Sequence, residues 1–231
     1  MQIQYGLEDF LQRFSTKVLW HFTGYKKTEE ESFSILKKII EEKKLRVGEY
    51  RPEVIMPSGE RRWGHHCSCM CDIPFKDLRI HTERYRKYGI AFDKNKAIIA
   101  GQFNPVLYIH RDHVFFKYAD AELLKDIDEL TRISGKFGEK LLKYLVLLGT
   151  YIKRSDLTAP VSIGNPILDD LQDNNFYYER EWRSAYPWEF KDEDVEAVMV
   201  QRKDFKDMKS FLEKCGMSDV PIVTYEMVEK L

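Results

Sequence analysis

Two glutamates and an arginine that lie close together late in the chain could carry chemistry at a sugar. Glu179, Glu181 and Arg183 alternate along a segment typical of a β-strand, and alternate residues of a strand point to the same face. A buried row of carboxylates costs free energy unless it is paired or used. Such a carboxylate can hold a sugar hydroxyl and stabilise the positive charge that develops at an anomeric carbon. The alternative is an exposed strand with a surface ion pair between Glu181 and Arg183. The many aromatic residues that flank this segment argue against that alternative.

A histidine and a tyrosine on two earlier predicted strands are the next candidates. His21 follows three apolar residues and precedes Thr23 and Gly24. A lone strand histidine is most often packed and hydrogen-bonded, but a hydroxyl and a glycine beside it would let a ribose and an adenine edge approach. Tyr88 is either an ordinary core aromatic or, with Gly89 leaving one side open, a ring on which a flat ligand stacks.

Composition limits the class of protein. The chain has 231 residues, of which 43% are hydrophobic and 32% charged, so we expect one globular domain over residues 1–231. No apolar run approaches the ~20 residues that cross a bilayer, and the N-terminus lacks the pattern of a secretory signal. These features predict a cytoplasmic protein without a membrane partner. The net charge of -1 does not indicate nucleic-acid binding, although the basic stretch 79–87 leaves a local patch open.

Three clustered cysteines raise the question of a metal. Cys67, Cys69 and Cys71 alternate on a predicted strand and follow His65 and His66. Structural zinc usually takes two ligand pairs from separate places, and the sequence has no second pair at the usual spacing. We therefore predict no metal and interpret the cysteines as small residues on a buried strand in a reducing compartment.

The elements that must position these residues are short strands interleaved with helices. A capping box at Thr28 predicts a helix that ends near Lys44, and the segment 48–64 is typical of a covering loop. Strands are predicted over 18–23, 67–73, 88–92, 97–100, 106–110, 177–183, 195–200 and 222–225, and further helices over 121–133, 138–153 and 205–215. A turn-rich stretch covers 154–175. This order predicts an α+β fold whose early strands lie far in sequence from its late ones.

Three of these segments resemble the strands that carry the His–Tyr–Glu pattern of ADP-ribosyltransferases. Residues 19–23 are similar to the Leu-Trp-His-Gly-Ser/Thr strand of poly(ADP-ribose) polymerase-type transferases, with Phe22 where that family has Gly. The segments that contain Tyr88 and Glu181 are similar to the other two strands. The resemblance implies an ADP-ribosyltransferase-like split β-sheet core with flanking helices, and NAD as the substrate.

The same resemblance assigns roles to individual residues. His21 would hold the adenine-side ribose of NAD, with Thr23 beside it, and Tyr88 would stack on nicotinamide. Glu181 would bind the hydroxyl of the nicotinamide ribose in the transition state, and Glu179 would orient an acceptor. Because arginine suits bidentate phosphate contact, we also expect the pyrophosphate to meet the predicted loop, which carries Arg51, Arg61 and Arg62; a solvated loop is the alternative.

The chain as a whole is similar to the AbiGi family of bacterial abortive-infection, or phage-resistance, proteins, which carries the label of an antitoxin. The similarity lies in the helix 35–45, the turn Cys71-Asp72-Ile73-Pro74, the strand 87–92, and the segments 104–108 and 176–183.

Two hypotheses follow from these resemblances. The first is an ADP-ribosyltransferase or NAD glycohydrolase of phage defence that cleaves the nicotinamide bond, with a protein or nucleic acid as acceptor. The second is a non-catalytic antitoxin or sensor on the same fold that binds a toxin partner or a nucleotide. The three residue types favour the first, whereas Phe22 and the antitoxin label favour the second. Convergence of His21, Tyr88 and Glu181 on one cleft would discriminate between them.

Overall fold

The computed structural model describes residues 16–48, 51–55, 61–110, 112–113, 129, 132, 135–155 and 176–228. The helices in this part of the chain are α1 (Glu29–Glu42), α2 (Leu78–Tyr85), α3 (Lys94–Ile99), α4 (Lys136–Thr150), α5 (Phe205–Lys214) and α6 (Tyr225–Val228). The strands are β1 (Val18–Phe22), β2 (Lys44–Leu45), β3 (Arg51–Ile55), β4 (Arg61–His65), β5 (Ser68–Cys71), β6 (Gly89–Asp93), β7 (Asn104–Pro105), β8 (Leu107–His110), β9 (Ile152–Ser155), β10 (Glu181–Ser184), β11 (Trp188–Glu189), β12 (Val195–Val200) and β13 (Ile222–Thr224). Within these ranges no helix is long and apolar enough to span a membrane.

A seven-stranded sheet in the order β13-β12-β6-β1-β5-β10-β7 forms the centre of the fold. Strand β12 pairs in parallel with β13, and the other neighbours pair antiparallel. The sheet joins β1, from the start of the chain, to β10 and β12, from its end. The predicted mixture of helices and strands, with early and late strands in one core, is confirmed.

Helices cover both faces of this sheet. On one face, Leu19 and Ile90 pack with Leu36 of α1 and Met208 of α5, all of them fully buried. On the other face, Trp20, the neighbour of Leu19, packs in a second cluster around α2. Because successive strand residues point to opposite faces, the apolar run in β1 supplies both clusters, and each buried Leu or Ile contributes about 1.5–3 kcal/mol.

The N-terminus of α1 is set by the predicted capping box. The Thr28 hydroxyl accepts a hydrogen bond from the Glu31 backbone N–H at 3.2 Å, and the Glu31 carboxylate accepts one from the Thr28 N–H at 2.8 Å. The helix ends at Glu42, because Lys43 takes a left-handed conformation with φ 49°. Both ends lie within two residues of the prediction.

Two predicted elements are wrong. The segment 48–64, predicted as a loop, contains the antiparallel strands β3 and β4, whose register shifts between Pro52 and Val54; a bulge of this kind accommodates proline in a strand. The strand predicted over 97–100 is the helix α3. Its N-cap is Asp93, whose carboxylate accepts from the Lys96 N–H at 2.8 Å, and this local hydrogen bond outweighs the β-propensity of the two isoleucines.

Two further boundaries differ where they matter for the site. The helix predicted over 138–153 ends at Thr150, and the next residues form β9, parallel to β8. Lys153 is therefore a strand residue. The segment Tyr177–Glu179 is a 3₁₀ turn, and Arg180 with φ 43° separates it from β10. Glu179 thus does not share a strand face with Glu181. The helix predicted over 121–133 and the turn-rich stretch beyond residue 155 lie largely outside the described residues.

Candidate functional site

A cavity of about 400 Å³ opens where β1 and β5 separate. The two strands pair at Trp20 opposite Cys71, and beyond that point the ring of His21 lies between them. His21 Nδ1 donates to the Cys69 carbonyl at 2.7 Å. Because a carbonyl only accepts, Nδ1 carries the proton and Nε2 is an acceptor. Burial lowers the pKa of His21, against the opposing effect of the Cys69 carbonyl, so the ring is neutral near pH 7.

The two predicted carboxylates line this cavity, but both are ion-paired. Glu181 accepts from Arg183 Nε at 2.9 Å and from Lys153 Nζ at 2.8 Å. Glu179 accepts from the same Lys153 Nζ and from the Tyr85 hydroxyl at 2.7 Å. Burial alone would raise the pKa of Glu181, but Arg183 and Lys153 hold it well below its usual value. Both glutamates are therefore ionised.

The cations around these carboxylates are also buried. Arg84 lies 3.4 Å from Glu179, and the side chains of Arg84 and Arg183 are 8% and 3% exposed. Burial alone would lower the pKa of Lys153, but the two glutamates raise it above its usual value. Lys153 thus stays charged at neutral pH and is not available as a general base. The five groups form one closed, charged cluster at one end of the cavity.

An aromatic series forms part of the same lining. Its ring centroids lie 6.0 Å apart between Trp20 and Phe22, 5.1 Å between Phe22 and His81, 4.3 Å between His81 and Tyr85, and 5.5 Å between Tyr85 and Tyr25. The His81 and Tyr85 rings are nearly parallel, at 19°. All five residues line the cavity, which therefore presents flat apolar surfaces suited to a planar ring.

His81 is a buried polar side chain of this lining whose hydrogen bonding is incomplete. Its residue is 6% exposed, and its Nδ1 has no hydrogen-bond partner within the described part of the chain. Burial lowers the pKa of His81 to about 4. A neutral imidazole with an unsatisfied nitrogen is costly in a core.

Tyr88 lies in a different place from His21 and Glu181. Its ring packs on Phe33, and its hydroxyl donates to Asp204 at 2.7 Å and accepts from Gln201 at 3.0 Å. Tyr88 lines a separate cavity of about 210 Å³. The structure therefore brings together His21, Glu179 and Glu181 of the predicted site, and places Tyr88 elsewhere.

The remaining predicted binding residues serve local contacts. The Thr23 hydroxyl is buried and donates to the Ser32 carbonyl at 2.8 Å. A Cβ on Gly89 would lie 3.0 Å from the His21 carbonyl oxygen, so this glycine allows β6 to pack closely on β1. Arg61 is in β4, and its side chain falls outside the described part of the structure.

Sequence reasoning missed several residues of the cavity. His81 and Tyr85 are four residues apart, a spacing that places two side chains on one helix face and could have indicated an aromatic pair. Lys153 carried no local signal, because its partners Glu179 and Glu181 lie 26 and 28 residues further along the chain.

The clustered cysteines contribute to the wall of the cavity. Cys67 and Cys69 hold their sulfur atoms 3.5 Å apart, and neither forms a disulfide within the described part of the chain. Contact with Cys67 and burial raise the pKa of Cys69. Among the described residues, no group of three or more His, Cys, Asp or Glu side chains is arranged to hold a metal ion.

The fold and the site define a mixed α and β protein whose central sheet carries a ligand-sized, largely apolar cavity. Residues 33–226 match the family described as "Putative abortive phage resistance protein AbiGi, antitoxin", and the chain belongs to this family. No curated protein and no solved structure matches the chain. The predicted AbiGi membership is thus confirmed, whereas the ADP-ribosyltransferase-like core stays a prediction.

Proposed function

We propose that this protein is the antitoxin of an abortive phage-resistance system and acts by binding a cognate toxin, not by catalysis. The family description supports the antitoxin role. The non-catalytic role is supported by the ion pairs of the two carboxylates. Lys153 and Arg183 both pair with Glu181, and Lys153 also pairs with Glu179.

For Glu181 to hold a substrate hydroxyl, the hydroxyl must displace one of its present partners, and that displacement is costly. The contacts of Glu181 with Lys153 and Arg183 are buried, and breaking a buried ion pair costs about 3–5 kcal/mol. The position of Tyr88 in another cavity removes the stacking partner that nicotinamide would need. The cluster therefore acts as a rigid end wall of the cavity.

A second candidate keeps the catalytic hypothesis. His21, Glu179 and Glu181 line one cavity, which favours an ADP-ribosyltransferase or NAD glycohydrolase that uses NAD as substrate. A protein or a nucleic acid would then be the acceptor. In this candidate, Glu181 would stabilise the positive charge on the nicotinamide ribose.

Nicotinamide release separates the two candidates. The purified protein is incubated with NAD, with and without cell lysate as a source of acceptor. We expect no release from the wild-type protein. Release that collapses in Glu181→Gln, in samples that a thermal melt shows to be folded, would overturn the binding proposal and establish catalysis.

Depletion in the native host tests the antitoxin role. The chromosomal gene is deleted while an inducible copy supports growth, and the inducer is then removed. We expect growth arrest, and we expect rescue by wild type and by Glu181→Gln at a temperature at which the variant is folded. Normal growth after depletion would contradict the antitoxin role, and rescue by wild type alone would contradict its non-catalytic character.

A further inference from the structure

Each described charged group that lines the main cavity lies within 4.0 Å of an opposite charge of the protein. Glu42 contacts Arg46 at 3.1 Å and Lys38 at 4.0 Å, and Lys44 pairs with Glu189 at 2.6 Å. At the other end, Glu179 and Glu181 are paired with buried cations. Because no described charge in this lining lacks a counter-charge, the cavity suits an uncharged ligand.

Two neutral imidazoles of the lining carry hydrogen-bonding nitrogens. His21 Nε2 is an acceptor, because Nδ1 is committed to the Cys69 carbonyl. His81 is buried with Nδ1 unsatisfied. A ligand with a ring or exocyclic N–H would donate to His21 Nε2. His81 Nδ1 is enclosed within the protein, and a turn of the His81 ring would bring it within reach of the same ligand, whereas a purely aliphatic ligand would satisfy neither nitrogen.

The shape and volume of the cavity restrict the class of ligand further. The aromatic series from Trp20 to Tyr25 offers ring faces, and Ile35, Ile39 and Leu45 complete the apolar lining. A volume of about 400 Å³ lies at the small end of the range for ligand sites. We propose that this cavity binds a neutral, planar heteroaromatic ring with hydrogen-bonding nitrogens, the chemistry of a nucleobase, held by the aromatic series and by His21 and His81.

A nucleobase can reach the cavity either as part of a free nucleoside or as an unstacked base of a single-stranded nucleic acid. Both present the same ring and the same nitrogens. The inference goes beyond toxin neutralisation and does not depend on it, since ligand binding and growth rescue are read in separate experiments.

Calorimetric titration of the full-length protein tests the site. The probes are adenosine, guanosine, cytidine and uridine, and separately a short single-stranded RNA of mixed sequence. His81→Phe keeps the ring that stacks on Tyr85 and removes both nitrogens, and Tyr25→Ala removes the end of the aromatic series. The matched control is Tyr186→Ala, which truncates an exposed tyrosine outside the cavity.

We expect at least one nucleoside to bind, with affinity reduced about tenfold or more in His81→Phe and in Tyr25→Ala and unchanged in Tyr186→Ala. Binding of the RNA alone, weakened by the same two variants, would support the site with a nucleic-acid base as its source. Absence of binding by every probe, or binding that survives both variants, would overturn the proposal. The nicotinamide-release and growth-rescue experiments do not depend on nucleoside binding. A negative binding result would therefore overturn the ligand proposal and leave the antitoxin role intact.

Discussion

At the scale of single residues, Lys153 has the largest influence on the cavity, because one ammonium group satisfies two buried carboxylates. Its nitrogen lies 2.8 Å from Glu181 and also contacts Glu179, and its side chain is 13% exposed. Removing one partner from a buried ion cluster leaves the others uncompensated in a medium of low dielectric. Lys153 therefore decides whether both glutamates can stay ionised.

The variant Lys153→Met should lower the free energy of unfolding by about 3–5 kcal/mol, because two buried carboxylates lose their shared cation. Urea denaturation followed by circular dichroism measures this change. The matched control is Lys44→Met, whose pair with Glu189 has a similar distance of 2.6 Å but is exposed to solvent, and which should change stability little. Equal effects of the two variants would contradict a structural role for Lys153.

At the scale of elements, the connection after β1 and the end of α2 are held together by a close backbone contact. A Cβ on Gly24 would lie 2.3 Å from Arg86 Cβ and 2.4 Å from the Tyr85 carbonyl oxygen. The Arg86 Nε also donates to the Lys27 carbonyl at 3.0 Å. This contact positions Tyr85, and with it the aromatic lining, relative to β1.

We expect Gly24→Ala to destabilise the protein by about 1–3 kcal/mol, because the added methyl group forces the end of α2 away. Denaturant unfolding gives the size of the effect. Lys27→Ala is the control, since it truncates an exposed side chain and keeps the carbonyl that accepts from Arg86. A Gly24→Ala protein as stable as wild type would contradict a close backbone contact at this glycine.

At the scale of the whole molecule, two buried glutamates and two buried histidines of the cavity shift in the direction that makes acid destabilising. Despite opposing burial, cations lower the pKa of Glu179 and Glu181. Burial lowers the pKa of His21, and that of His81 to about 4. A lowered pKa in the folded state means that the unfolded chain binds protons first, so stability falls as the pH falls.

Stability should therefore decrease from about pH 7 to about pH 4, with the histidines acting first, below their ordinary pKa of 6.5. For His81 alone the loss is of the order of 3 kcal/mol. Urea midpoints at several pH values measure it. His81→Phe should match or exceed wild type near pH 7, because an unsatisfied nitrogen is removed, and should lose less stability on acidification. Parallel pH profiles would contradict a buried neutral His81.

Local signals allowed much of the fold to be predicted. The capping box of Thr28 and the apolar runs in β1 and β12 predicted real elements, because each depends on residues a few positions apart. The strand predicted over 97–100 is wrong because another local signal, the Asp93 cap, outweighs the β-propensity of the isoleucines. The pairing of Glu181 with Arg183 was also predictable, because strand residues two apart share a face.

The sequence by itself determined the family, the helical and strand-forming segments, and the candidate status of His21 and Glu181. Only the tertiary structure decided what those residues contact. Lys153 reaches Glu181 from 28 residues away, and the Tyr88 hydroxyl reaches Asp204 from 116 residues away. The physical reason is that such contacts depend on the order of strands in the sheet, which brings together segments whose separation leaves no local pattern in the chain.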